Sequence, residues 1–261
     1  MPIRKILLYV TAMILATAVV RAADDPFVGT WKVNTEKSHI AGQVQEIRHL
    51  ETNKYDWIYG DTHMTLLADG KQHPYMFGGT WSVKQESPDR WIMTHIRNGK
   101  VSGIDTWTLS EGGRQWTRVA RGTRPDGSPF KITRTYARVG PGSGFIGSWE
   151  LKNFQANSSG KWFIKPYGND GLTFSDPAQK ESQNIRFDGK DYPDHGPWVA
   201  PGNVSSAKRF DGHHIQMTDK LHGKVIRTEQ IRVSEDGKTL TDSILPRGEQ
   251  KPVILVFEKQ M

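Results

Sequence analysis

The chain contains no cysteine among its 261 residues. This absence excludes a disulfide framework, a thiolate nucleophile and a cysteine-ligated zinc site. The sequence also lacks a nucleophile elbow, a phosphate loop and a zinc-protease helix motif. Gly142 and Gly144 precede a predicted strand rather than a helix, so they do not form a phosphate cradle. We therefore predict no catalytic residue and favour a protein that is not an enzyme.

Long apolar runs are equally scarce. One run, from Ile6 to Val20, follows the positive pair Arg4 and Lys5, and Val20 and Ala22 place small residues at the −3 and −1 positions of a cleavage site. It is shorter than the roughly 20 apolar residues that a membrane span needs. This pattern predicts a signal peptide over residues 1–22, cleaved near Ala22, and export to the periplasm or the medium without stable membrane insertion. An uncleaved anchor is the alternative.

Clustered charge is also missing. The chain has 35 Lys and Arg against 28 Asp and Glu, a formal net charge of +7, and the basic residues are scattered. This distribution predicts no nucleic-acid groove. The densest histidine set is Asp211, His213, His214, Asp219 and His222. Adjacent side chains on a strand point to opposite faces, so we predict no metal site there and no cofactor.

What the sequence does contain is a series of short alternating segments separated by turn residues. The segment from Trp91 to Arg97 alternates and then meets Asn98-Gly99, the strongest short hairpin signal. Both halves of the chain continue in this way. We predict an all-β protein in which each half is a meander of about eight antiparallel strands that closes into an up-and-down barrel.

The two halves also share motifs in the same order. Phe27-Val28-Gly29-Thr30-Trp31 is matched by Phe145-Ile146-Gly147-Ser148-Trp149, 118 residues later. Three further matches, at offsets of 119, 124 and 124 residues, begin at Asp69 and Asp188, at Asn98 and His222, and at Ser110 and Ser234. This collinearity predicts an internal duplication, with barrels over 25–139 and 145–261 and a flexible connector from Gly140 to Gly144.

One segment of the second half is less strand-like than the rest. Residues 192–202 carry three prolines and place His195 beside Asp194 and Trp198. We expect a long loop here, and loops on rigid scaffolds often carry function. An ordinary surface loop is the simpler alternative.

A Gly-x-Trp first strand followed by a β-meander resembles the calycin group, which comprises lipocalins and fatty-acid-binding proteins. The longer pattern over residues 29–38 is similar to a lipocalin-like family of secreted bacterial proteins common in Acidobacteria. The resemblance implies two tandem lipocalin-like barrels, each with a plug at one end. The implied plug residues are Gly29, Trp31, Gly147 and Trp149.

The resemblance further implies that a cation from the last strand lies over each plug Trp. Arg134 or Arg138 would serve the first half, and Lys259 is the choice that the second half offers. Such a cation–π contact is worth about 0.5–2 kcal/mol.

Aromatic residues divide unevenly between the halves, since five Trp accompany the plug in the first half and two in the second. The first half is therefore the predicted ligand holder. Its candidate cavity wall comprises Trp81, Trp91, Met93, Trp107 and Trp116. The predicted function is an exported, non-catalytic binding protein for a small hydrophobic or amphipathic molecule. The alternative is an interaction module whose solid barrels bind a protein or an envelope polymer, and an enzyme ranks third.

Overall fold

The computed structural model describes residues 25–157 and 160–261, so the predicted signal peptide lies outside the described residues. Within these ranges the protein is all-β, apart from a short 3-10 turn at Glu111–Gly113. No helix in the described part of the chain has the length and apolar character needed to cross a membrane. The predicted all-β class is confirmed.

The strands form two antiparallel sheets of ten strands each, rather than about eight. Barrel 1 is nearly closed and has β4 and β5 at its two edges. Its strands are β2 (Val44–Glu51), β3 (Lys54–Tyr59), β4 (Thr62–Leu67), β5 (Gln72–Pro74), β6 (Thr80–Ser87), β7 (Arg90–Arg97), β8 (Lys100–Ser110), β9 (Gln115–Thr123), β10 (Pro129–Val139) and β11 (Gly147–Ala156).

Barrel 2 is fully closed, which removes sheet edges altogether. Its strands are β1 (Gly29–Val33), β12 (Lys161–Tyr167), β13 (Gly171–Asp176), β14 (Glu181–Arg186), β15 (Tyr192–His195), β16 (Asn203–Asp211), β17 (His214–Leu221), β18 (Lys224–Val233), β19 (Thr239–Pro246) and β20 (Val253–Gln260).

The hairpin turns show why these segments form strands in this order. The turns at Asn98-Gly99 and His222-Gly223 each place two consecutive residues at positive φ, of 51° and 72° and of 49° and 76°. That is the type I′ geometry, whose twist matches that of the flanking strands. In β17 the even alternation of buried and half-buried residues continues from one end to the other, as a strand with one core face requires.

The sequence repeat is reproduced in the strand register. Trp107 lies opposite Arg118 in barrel 1, and Ile231 lies opposite Asp242 in barrel 2. Both members of the second pair are 124 residues beyond those of the first. The β-bulge after His95 recurs after its counterpart 124 residues on. The strands β7–β9 and β17–β19 are therefore equivalent, residue for residue.

The barrels nevertheless divide the chain differently from the predicted ranges 25–139 and 145–261. The strand β1 pairs with β12 and β20 in barrel 2, while β11 pairs with β10 and β2 in barrel 1. The two repeats thus exchange their first strands, and the chain crosses between the barrels through residues 34–43 and again between β11 and β12.

This exchange corrects the interpretation of the segment from Gly140 to Gly144, which is a hairpin loop inside barrel 1 and not a connector between barrels. Arg138 lies opposite Trp149 in the β10–β11 ladder, so the two strands continue in one sheet. The Arg138 guanidinium holds the loop by donating hydrogen bonds to the carbonyl oxygens of Gly144 and Ile146, the latter at 2.7 Å.

Each plug is built in the same way. Trp31 and Trp149 are fully buried, and their indole N–H groups donate to the carbonyl oxygens of Phe27 and Phe145 at 2.8 and 2.9 Å. These bonds satisfy the polar atom of each ring, so burial of the indole carries no unpaired donor. The Phe-x-Gly-x-Trp motif is therefore a self-contained plug.

The cations over the plugs are reversed relative to the prediction. The Arg138 guanidinium lies 4.1 Å from the Trp149 ring, and the Lys259 ammonium lies 5.0 Å from the Trp31 ring. Strand exchange is the cause, because each plug sits beside the last strand of the barrel that it enters. Glycine suits the plug position because Gly29 has a φ of 147°, a conformation that other residues rarely adopt, and a Cβ there would also displace the end of the Lys259 side chain.

Candidate functional site

The five residues predicted to form a cavity wall fill the interior of barrel 1 instead. All are buried, and Trp91 and Met93 share the inward face of β7. Trp107 stacks on Trp91 with 5.9 Å between ring centroids and meets Trp116 at 4.5 Å. Trp81 belongs to the same packed core. None of the five is among the residues that line the cavities of the two barrels.

Barrel 1 retains a cavity of about 360 Å³ above this aromatic core. Its apolar wall includes Trp57, Met64, Leu151 and Phe154. Its polar wall includes the side chains Gln43, Gln45, Arg118 and Arg134. The cavity is thus amphipathic and contains two guanidinium groups.

The two guanidinium groups differ in their partners. Arg118 forms an ion pair with Asp105 and lies against three indole rings, with centroids at 4.6, 5.1 and 5.7 Å. Among the described residues, Arg134 has no hydrogen bond or ion pair through its guanidinium, which lies 5.3 Å from the Phe154 ring. Burial lowers the pKa of Arg134, and the neighbouring positive charge of Arg118 lowers it further.

Two buried amides in the same wall are also unsatisfied. Neither side-chain polar atom of Gln43 has a hydrogen-bond partner in the described part of the chain, and neither does Nε2 of Gln45. Gln45 Oε1 accepts a hydrogen bond from Trp57 Nε1 at 2.7 Å. Unpaired buried donors cost about 1–3 kcal/mol each. Arg134 and the two amides therefore present donors without acceptors to the cavity.

Barrel 2 contains a larger cavity, of about 460 Å³, which is partly open and has a different lining. Its apolar residues include Trp162, Phe174, Met217 and Leu255. Its carboxylates include Glu181, Asp194, Asp219, Glu229 and Asp242, and Arg227 is the guanidinium in its wall. The charge balance in this cavity is negative, the reverse of that in barrel 1.

Some of these carboxylates have hydrogen-bond or ion-pair partners within the protein. The Arg227 guanidinium donates to Asp219 at 2.5 Å and lies 2.8 Å from Glu229. Asp194 accepts from Gln183 at 2.8 Å, and Ser205 bonds Asp219 at 2.7 Å.

Asp242 differs from the other acids of the cavity. It is fully buried, and neither of its carboxyl oxygens has a partner among the described residues. A buried carboxyl group with no compensating bond is expensive to keep charged.

Burial and the closeness of several carboxyl groups shift the pKa values in this cavity. Burial raises the pKa of Glu229 to about 7, against an ordinary value of 4.5. Burial, together with the nearby Glu229, raises the pKa of Asp242 well above its ordinary value. Burial also raises the pKa values of Asp194 and Glu181. These raised pKa values favour the protonated forms of the acidic cluster.

The proline-rich segment 192–202 lies in the wall of the barrel 2 cavity. Its first four residues form β15, which directs Asp194 to the cavity, and His195 and Trp198 line the cavity as well. Trp198 also contacts barrel 1, because Arg97 donates to its carbonyl oxygen at 3.2 Å. The segment singled out in the sequence is thus adjacent to a candidate site, although it begins as a strand.

The histidine-rich set noted in the sequence does not form a single cluster of side chains. Of its members, Asp219 faces the barrel 2 interior, while the His214 ring bonds Gln230 at 2.6 Å. No group of three or more His, Asp or Glu side chains in the described residues has the spacing of a metal site.

Sequence reasoning missed the acidic interior of barrel 2. The sequence signal for it was strand parity, since Asp219 and Glu229 occupy the same strand faces as buried Met217 and Ile231.

No protein-family model matches the chain, and no curated protein matches it either.

Proposed function

We propose that this chain is a non-catalytic binding protein that acts after export and holds a small amphipathic molecule with an anionic head in barrel 1. A medium-chain carboxylate represents this class. The observation that carries the proposal is the unpaired guanidinium of Arg134 in the wall of an amphipathic cavity.

The polar end of the cavity suits a carboxylate. Arg134 is half-buried and has no counter-ion among the described residues, and a carboxylate would supply two parallel charge-assisted hydrogen bonds to its guanidinium. The amide N–H groups of Gln43 and Gln45 lie in the same wall and also lack acceptors. A ligand head with two oxygens would satisfy several donors at once.

The rest of the cavity suits an apolar tail. Trp57, Met64, Leu151 and Phe154 provide aromatic, thioether and aliphatic surface. The volume of about 360 Å³ lies within the roughly 300–1,000 Å³ range of small-molecule sites. The packed Trp core limits how deep a tail can reach, so short ligands are favoured over long ones.

The test is calorimetric titration of the purified protein with octanoate and with octanol, its uncharged counterpart. Octanoate should bind with 1:1 stoichiometry and more tightly than octanol. Arg134→Gln should weaken octanoate binding about 10-fold or more, as expected for loss of a hydrogen bond between charged groups. The control is Arg121→Gln, on the exposed face of β9, which should leave the affinity unchanged.

The packed aromatic core also favours a second candidate, an interaction module that uses the outer surface of solid barrels. In that case neither octanoate nor octanol binds inside barrel 1. Equal affinity for octanoate in the Arg134→Gln variant and the unmodified protein would likewise remove the carboxylate site.

A further inference from the structure

A comparison of equivalent positions in the two barrels shows one place where a basic residue of barrel 1 is replaced by an acidic residue in barrel 2. In barrel 1, Asp105 on β8 forms an ion pair with Arg118 on β9. The equivalent residues of barrel 2, 124 positions later, are Glu229 on β18 and Asp242 on β19. An acid faces a base in one barrel, whereas an acid faces an acid in the other.

One cation, Arg227, lies near this place, but it forms its ion pairs with other carboxylates and none with Asp242. Arg227 occupies the position equivalent to Gly103 and is engaged by Asp219 and Glu229. Asp242 remains fully buried with both oxygens unpartnered, and it lines the cavity of about 460 Å³. Asp242 is therefore an unpaired, enclosed carboxyl group in the wall of this cavity.

We propose that the barrel 2 cavity binds a small organic cation, a primary amine with an aromatic or short alkyl body, whose ammonium group lies against Asp242 and Glu229. An ammonium group has three N–H donors and no acceptor, so it can bond several carboxylate oxygens at once. Trp162 and Phe174 line the same cavity and provide surface for the body of the ligand. Their ring faces also attract a cation.

The lining distinguishes an amine from a metal ion. Among the described residues, the carboxylates of this cavity do not form a group with metal-ligand spacing. Apolar residues, including Met217, Ile244 and Leu255, make up much of the wall. A bare ion makes no use of such surface, whereas an amine with an apolar body buries it.

Binding of a cation should release protons from the barrel. Burial raises the pKa of Glu229 to about 7 and that of Asp242 well above its ordinary value. An ammonium group beside them favours their charged forms. Amine binding below about pH 7 should therefore be accompanied by proton release, which calorimetry detects as a dependence of the heat on the buffer.

The experiment titrates the purified protein at about pH 7.5 with phenethylammonium, 2-phenylethanol and 3-phenylpropionate, and separately with calcium and zinc chlorides. The amine should bind at least about 10-fold more tightly than the alcohol, and the carboxylate should not compete for its site. Asp242→Asn keeps the shape of the side chain and should weaken amine binding by about 10-fold or more. Glu235→Gln, in an exposed turn of the same barrel, is the control and should leave the affinity unchanged.

Three results would overturn the proposal: equal affinity for the amine and the alcohol, displacement of the amine by either metal ion at equal concentration, or unchanged amine affinity in Asp242→Asn. If Asp242→Asn does not fold, Glu229→Gln takes its place. The three-probe comparison on the unmodified protein decides the question without any variant. Arg134→Gln should leave amine binding intact, which separates this site from the one in barrel 1.

Discussion

The two barrels share strand number, register and plug, yet their interiors carry opposite charge. Barrel 1 presents Arg118 and Arg134 to its cavity, whereas barrel 2 presents a group of carboxylates that includes Glu229 and Asp242. The exchange of an arginine for an aspartate at equivalent positions of β9 and β19 accounts for much of this reversal. In this duplicated barrel the plug and the turns determine the scaffold. A few inward-facing positions determine the charge of each cavity and so its selectivity.

The largest expected effect comes from deleting residues 25–33, which removes β1 and the plug formed by Phe27, Gly29 and Trp31. Barrel 2 would lose the strand that closes it between β12 and β20, while all ten strands of barrel 1 would remain. Hydrogen exchange measured by mass spectrometry should show lost protection across 161–260 and retained protection across 44–156.

Single substitutions in the plugs provide the matched comparison. Trp31→Ala should destabilise barrel 2, and Trp149→Ala should destabilise barrel 1, each by about 3–5 kcal/mol. Loss of protection in barrel 1 on changing Trp31 would contradict the strand exchange.

The next effect concerns the buried ion pair of barrel 1. Arg118→Met leaves Asp105, which is 2 % exposed, without its cation. Removal of one partner from a buried pair costs about 3–5 kcal/mol, and a urea melt followed by barrel 1 signals should show it. Arg121→Met, on the exposed face of β9, should change stability little. Near-equal midpoints for the two variants would show that the pair adds no stability to barrel 1.

The prediction for the equivalent position of barrel 2 has the opposite sign. Asp242→Asn removes an unpaired buried acid, so the empty protein should become more stable at pH values where Asp242 is charged. The same urea melt measures it, and a loss of stability would mean that Asp242 has a partner in solution.

A smaller effect is expected from pH. The pKa of Glu229 is raised to about 7 in the fold, so the folded protein binds more protons than the unfolded chain between about pH 4.5 and pH 7. Its contribution to stability is therefore lost as the pH rises through this window. The groups that face Glu229 in the cavity are Asp194, Asp219, Arg227 and Asp242.

Melting temperature between pH 5 and pH 8 measures this contribution. Burial lowers the pKa of His95 in barrel 1, which acts in the opposite direction. The informative quantity is therefore the difference between the unmodified protein and Glu229→Gln, which should shrink towards low pH. A difference that does not vary with pH would show that Glu229 has an ordinary pKa in the fold.

The smallest expected effect separates the two plugs. Arg138→Met and Lys259→Met each remove a cation from a Trp face, at 4.1 and 5.0 Å respectively. We expect losses of about 0.5–2 kcal/mol, with the larger loss for Arg138, which also bonds three backbone carbonyls. Thermal melts of the two variants measure the difference.

Local features of the fold were predictable from the sequence because each is determined by adjacent residues. The Asn98-Gly99 turn sets a type I′ hairpin, and the alternation from Trp91 to Arg97 sets the inward face of β7. The exchange of β1 and β11 was not predictable, because both carry the same plug motif and the motif does not specify which barrel each strand enters. Only the long-range pairing of Trp31 with Lys259 and Trp162 identifies the barrel that β1 enters.

The candidate sites were predictable only in part. Strand parity places Glu229 and Asp242 on inward faces, but it does not show that they face the same cavity as Asp194. The abundance of Trp in the first half pointed to a cavity wall, whereas the rings pack against one another and fill that volume. Counting aromatic residues does not distinguish a lined cavity from a filled one, because both bury the same apolar surface.

The most direct test of opposite selectivity in the two barrels is sequential calorimetric titration of one protein sample, first with phenethylammonium to saturation and then with octanoate. The account predicts two independent sites, each with 1:1 stoichiometry, with amine binding weakened about 10-fold or more in Asp242→Asn alone and octanoate binding weakened about 10-fold or more in Arg134→Gln alone. Competition between the two ligands, or loss of both sites in either variant, would contradict it.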